Sequence, residues 1–134
     1  MNTHIHPLAV VVAALSAFLV GGIWYSPLAF ARPWMAANGF TEESLRERGG
    51  TARIFGVSFV LVLVASVNLA FFLGAEDTTA TWGASAGALT ALWIASAFGV
   101  TYLFERKPMK LFFIDAGYHV VAFPLMGLIL GAWR

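Results

Sequence analysis

The chain has 134 residues, of which 60% are hydrophobic and only 11% charged, with a net charge of +1. Soluble domains carry about 25% charged residues, so a soluble globular domain is excluded and the composition is that of an integral membrane protein. The scattered basic residues leave no footprint for nucleic acid, and the absence of cysteine excludes disulfides, thiolate metal sites, Cys-ligated iron–sulfur clusters and cysteine nucleophiles.

Four stretches are long enough to cross a bilayer, which takes about 20 apolar residues. Each must be a helix, because backbone polar groups find no water in hydrocarbon. The first stretch covers 8–31 and contains no Lys, Arg, Asp or Glu. Its Ala29-Phe30-Ala31 resembles a cleavage site, but no basic residue precedes the stretch and its apolar part is too long for a signal peptide. Pro27 lacks an N–H, so the Ile23 carbonyl loses its helical partner; a hydroxyl from Tyr25 or Tyr118 is expected to replace it. Beyond Arg32, Trp34 and Met35 lie at the membrane edge. A short surface helix is then predicted from Thr41 as N-cap, with Glu42 and Glu43 in its first turn, Phe40 and Leu45 as a hydrophobic staple, and Gly49-Gly50 as its stop.

The second stretch, 54–75, carries Asn68, whose amide in lipid calls for a partner on another helix. The third, 78–104, repeats a small residue every fourth position: Gly83, Gly87, Ala91, Ala95 and Gly99. Such a ridge lets helix backbones approach closely, either within the chain or against a second copy. The fourth, 111–133, adds Gly127 and Gly131. The predicted fold is an all-α integral membrane protein, an antiparallel four-transmembrane-helix bundle forming one domain over 1–134. Arg32, Arg46, Arg48, Arg53, Arg106, Lys107 and Lys110 fall in two loops on one side, against Arg134 alone on the other. That asymmetry predicts cytoplasmic basic loops and both termini on the opposite side.

Asp115 and His119 stand one helical turn apart inside the fourth stretch. Ionisable groups are costly at that depth and are functional candidates by default. Counting from Lys110, they lie roughly 8 and 14 Å into the membrane; Trp24, Tyr25 and Ser26 lie about 9–12 Å in from Arg32. These residues and Tyr118 therefore share a layer, and Thr101 and Tyr102 reach toward it from the third span. Pro124 frees the Val120 carbonyl nearby. Two readings of the layer stand open. It is a ligand or proton site in which Asp115 and His119 titrate as one unit, or it is structural, with Asp115 bonded to Tyr25, the Trp24 N–H or Ser26 to lock the fourth span to the first. Asp115 and His119 have chelate spacing but no third ligand in their layer, and His4 and His6 lie at the opposite end, so no metal and no cofactor are expected. Ser26 lacks a glycine elbow, so no enzyme is expected. A faint repeat relates Gly22-Ile23-Trp24-Tyr25 to Gly99-Val100-Thr101-Tyr102 at an offset of 77, with few matched positions.

Gly22-Ile23-Trp24-Tyr25-Ser26-Pro27-Leu28-Ala29-Phe30, followed by Trp34, resembles the first-span signature of a small membrane family, domain of unknown function 1761, found in bacteria and fungi. Asp115-Ala116-Gly117-Tyr118 resembles its last-span motif. A Gly-Lys pair often follows the phenylalanine in the family pattern; here Ala31-Arg32 stands there and keeps the positive charge. The resemblance implies four spans and membrane residence and carries no activity; the expected location is a bacterial inner membrane. The expected function is a proton-linked carrier or ligand-binding homo-oligomer in the lipid bilayer, built around the Asp115 layer. The alternative is a non-catalytic accessory subunit of a larger membrane complex.

Overall fold

The computed structural model describes residues 4–134 and is helical throughout its regular structure. The elements are α1 (Pro7–Trp24), α2 (Ala31–Asn38), α3 (Glu42–Arg48), α4 (Thr51–Phe72), α5 (Ala80–Phe104) and α6 (Met109–Ala132). Among them α1, α4, α5 and α6 are long and apolar enough to cross a membrane.

The first span ends seven residues before its apolar run does. Pro at the first turn starts α1, and Pro27 explains the early stop, since the residue before a proline avoids helical geometry. Tyr25 to Phe30 instead form a compact turn in which the Phe30 N–H reaches back to the Trp24 carbonyl (2.9 Å). The basic segment then holds two short helices where one was predicted. α2 is closed by Gly39 at a left-handed φ of 70°. α3 begins as expected, with Thr41 and Ser44 forming a reciprocal capping box, and ends at Gly49 and Gly50, both at positive φ.

α6 is the central element. α5 runs antiparallel along one side of it: Gly83 meets Gly127, Gly87 meets Phe123, and Gly99 meets the Phe112 ring. The small-residue ridge therefore packs inside the chain. Gly83 and Gly87 are buried against the facing backbone of α6, which answers with Gly127 and Gly131, and Ala91 is buried one turn further on. α1 lies along the other side of α6, also antiparallel, with Ala17 beside Tyr118 and Trp24 beside Ile114. α4 packs on α1 through the Phe18 ring against Phe55 and Phe59. These registers bring both basic segments to one end of the bundle, here the basic end.

The apolar core sits toward the other end, where Ala9, Ala13, Leu69, Leu73, Ala86, Phe123, Met126 and Leu130 are buried together. Ser66 ties α4 to α1 there: fully buried, it donates to the Val10 carbonyl at 2.8 Å. Arg134 closes that end by donating to the Leu73 carbonyl (2.9 Å) and to the Ala75 carbonyl. His4 reaches Glu76 at 3.0 Å.

Asn68 does not make the interhelical bond expected of it. Its amide donates to the Val64 carbonyl of its own helix (2.9 Å) and its side chain is exposed. Two residues rotate a helix by about 200°, so with Ser66 turned onto α1, Asn68 must face away.

Candidate functional site

The polar layer is assembled at the basic end by α1, α5 and α6. Asp115 of α6 accepts the Tyr25 hydroxyl on Oδ1 (2.8 Å) and the Tyr102 hydroxyl on Oδ2 (2.6 Å). One carboxylate thus joins three segments: the turn after α1, the last part of α5, and α6. The two tyrosines are the ends of the repeat at offset 77, so that faint match has a structural counterpart. It does not extend to the whole bundle, because α4 leaves a groove against α5 where α1 packs closely on α6.

The two motifs that carry the family resemblance interlock. The Trp24 indole N–H donates to the Ile114 carbonyl (2.8 Å), not to Asp115. Its ring lies over Gly117, where a Cβ would stand 2.9 Å from the indole Cζ2. Tyr118 in turn lies over Gly21, 3.3 Å from a Cβ built there, and donates to the Ala17 carbonyl (2.9 Å). Each aromatic side chain fills the space opened by a glycine on the other helix, and its polar atom finds a backbone carbonyl, as buried polar groups require. Around this junction Phe30 packs on Trp24 and Trp34 on Tyr25, with ring centroids 4.7 and 5.9 Å apart.

Ser26 and His119 do not join the carboxylate. The Ser26 hydroxyl and N–H both turn onto the Ile23 carbonyl, at 2.6 and 3.1 Å. That is the carbonyl Pro27 leaves free, and it is satisfied locally rather than by a tyrosine. His119 sits among aromatic rings, 5.3 Å from Phe98, 4.8 Å from Tyr118 and 5.8 Å from Phe123. Its Nδ1 is buried without a hydrogen-bond partner, and no ion pair links it to Asp115 among the described residues. Thr101 is exposed. Tyr102 is stacked on Phe98 with planes 5° apart, and the Lys107 ammonium lies 4.9 Å from its ring centroid.

Behind the layer, a groove of about 580 Å³ opens between α1 and α4. Phe18, Gly22 and Tyr25 line one wall, Phe55 and Ser58 the other; Trp34 of α2 and Tyr118 of α6 also border it. Depth counting along the sequence locates Tyr25 and Tyr118 but not this groove: Pro27 marks a break in the first span, but nothing in the sequence shows that Trp34 of α2 comes to border the opening.

Fold and site together define a small four-span membrane protein whose helices are joined at one end by a tyrosine-clamped carboxylate. The chain belongs to the family described as "Protein of unknown function (DUF1761)", whose model matches residues 8–131. No curated protein and no solved structure matches it.

Proposed function

We propose that this chain binds an amphipathic small molecule within the membrane, in the groove between α1 and α4, and that the Asp115 junction holds the groove's polar wall in place. One observation carries the reading: a space of about 580 Å³ bordered by Tyr25 and Tyr118, within the range of roughly 300–1,000 Å³ of ligand sites. The walls are mostly apolar and suit an alkyl chain. The Tyr25 and Tyr118 hydroxyls are committed as donors to Asp115 and to the Ala17 carbonyl, so they offer the groove acceptor lone pairs, while Ser58 and Trp34 supply donors. A carboxyl or hydroxyl head on a single apolar chain matches that set. A head group that donates to Tyr25 polarises the hydroxyl toward Asp115 and strengthens that bond, so occupancy is felt at the Asp115 junction. Because Asp115 is held by two tyrosines and His119 is not paired with it, this reading is better supported than a proton-linked carrier resting on that pair. We also infer from the seven-to-one basic asymmetry that the basic end faces the cytoplasm.

Gly22→Leu tests the groove. A Cβ at Gly22 meets no atom within 4 Å and Gly22 lines the groove, so a larger side chain there grows into that space. With oleate as probe in maltoside micelles, the wild-type melting temperature should rise with ligand concentration, as linkage requires of a ligand bound only by the folded state. Gly22→Leu should melt normally and lose that rise. A wild-type protein unmoved by oleate, or a variant that responds equally, overturns the proposal.

A further inference from the structure

Asn68 is a polar side chain that the fold leaves partly unpaired. One amide N–H donates to Val64; the second N–H and the carbonyl oxygen have no partner among the described residues. The residue lies four positions before the end of α4 at Phe72, roughly 6 Å along the axis, and three further apolar residues follow before Glu76. It is therefore at hydrocarbon depth, where lipid tails offer neither donor nor acceptor and an exposed amide is costly.

Beside it, α4 and α5 fail to close. They leave a groove of about 350 Å³, bordered by Asn68, Phe72, Thr90 and Trp93 and backed by Phe123 of α6. Phe72 and Trp93 stand out from its rims, 62% and 69% exposed. One surface thus carries aromatic knobs, a hole beside them, and an amide that both donates and accepts.

We propose that this face pairs with a second copy of the chain, the two Asn68 amides bonding reciprocally and the rim aromatics of each copy entering the other's groove. A two-fold contact uses the same patch on both subunits and so needs a self-complementary one. A carboxamide meets that need, because its donor and acceptor match those of its own image. Depth selects the same partner. A second copy inserted in the same orientation brings its Asn68 to the same level of the bilayer, which no lipid does. The small-residue ridge, the other candidate for self-association, is already used against α6.

The chain contains no cysteine, so single cysteines report proximity without interference. Val64→Cys lies one turn from Asn68 on the same face and keeps both the amide and the rim aromatics; Leu19→Cys, 66% exposed on α1, is the control. On oxidation in native membranes, Val64→Cys should form disulfide-linked dimers and Leu19→Cys should not. In lipid-dilution measurements of energy transfer between labelled Val64→Cys copies, Asn68→Val should weaken dimerisation by about tenfold, the scale of interhelical hydrogen bonds in membranes, and Asn68→Gln should restore part of it. Asn68 is exposed, so neither change should unfold the monomer; the melting temperature checks this. Equal cross-linking at Leu19, dimers indifferent to Asn68→Val, or cross-links only to a different protein would each overturn the proposal.

Discussion

Alanine substitution of the helical glycines separates a backbone contact inside the chain from a face turned to lipid. In a helix, Gly→Ala is worth up to about 1 kcal/mol of stability where space allows. Gly22 and Gly56 have that space, since a Cβ at either meets nothing within 4 Å; both variants should be as stable as the parent or slightly more so. At Gly99 the Cβ comes to 3.4 Å from the Phe112 ring edge, a contact a ring can yield to, and the change should be near neutral. At Gly117 it comes to 2.9 Å from the Trp24 indole. That ring must move off its bond to Ile114, so overpacking of roughly 1–3 kcal/mol outweighs the helix gain and leaves a net loss of about 1 kcal/mol. At Gly87 the Cβ would fall on the Phe123 carbonyl and 2.8 Å from Pro124 Cα. Backbone cannot swing aside, so α5 and α6 must separate, at a cost of about 3 kcal/mol or more. Unfolding in mixed maltoside and dodecyl sulfate micelles ranks the series. If Gly87→Ala proves as stable as Gly56→Ala, the ridge faces lipid and the placement of α5 on α6 is wrong.

Two further outcomes follow from the polar layer and the charge distribution. Tyr102→Phe removes the donor and Asp115→Asn the charge of one charge-assisted bond, each bond of this kind being worth about 1.5–3 kcal/mol. Their double-mutant cycle should show coupling of about 1 kcal/mol or more, and additive effects would mean that the 2.6 Å contact contributes nothing. A C-terminal alkaline phosphatase fusion should be active and a fluorescent-protein fusion at the same site dark, because seven of eight basic residues lie on the other side; the reverse pattern would invert the orientation.

What could be read along the chain was depth, and what could not was rotation. Counting residues from the basic edges put Tyr25 and Asp115 in one layer and brought Tyr102 toward it, and these three meet. The spans are apolar on every side, so no amphipathic stripe shows which way a residue points. Depth alone therefore points Asn68 at a helix contact that Ser66, two residues earlier, makes instead. For the same reason the spacing pairs His119 with Asp115. The two lie four residues apart on neighbouring parts of one helix face, yet the carboxylate turns to its tyrosines and the imidazole to Phe98 and Phe123. Pro27 marked a break in the first span but not its form: the helix stops outright and Ser26 takes up the freed carbonyl. Nor does the sequence show that His4 and Arg134 both meet the 73–76 turn, which only the folded chain brings to them.

The magnitudes also bear on why a carboxylate stands in this layer at all. Placing an aspartate at the centre of a membrane helix costs roughly 2.5–3.5 kcal/mol on insertion scales, and Asp115 lies off-centre, toward the basic end. Two hydrogen bonds to an ionised group return about 1.5–3 kcal/mol each, enough to offset that cost. The charge is therefore sustainable as a structural tie, and transport is not needed to account for it. What the tie achieves is specific to this fold. α1 ends early, and the turn after it has no helix of its own to hold it; the bond from Tyr25 to Asp115 fixes that turn to α6, while Tyr102 fixes the end of α5 to the same atom pair. An apolar contact could supply comparable adhesion but would not set the position of the Tyr25 hydroxyl, and that hydroxyl is what borders the groove. The carboxylate stabilises the junction and, by the same two bonds, sets the polar wall that a ligand would meet.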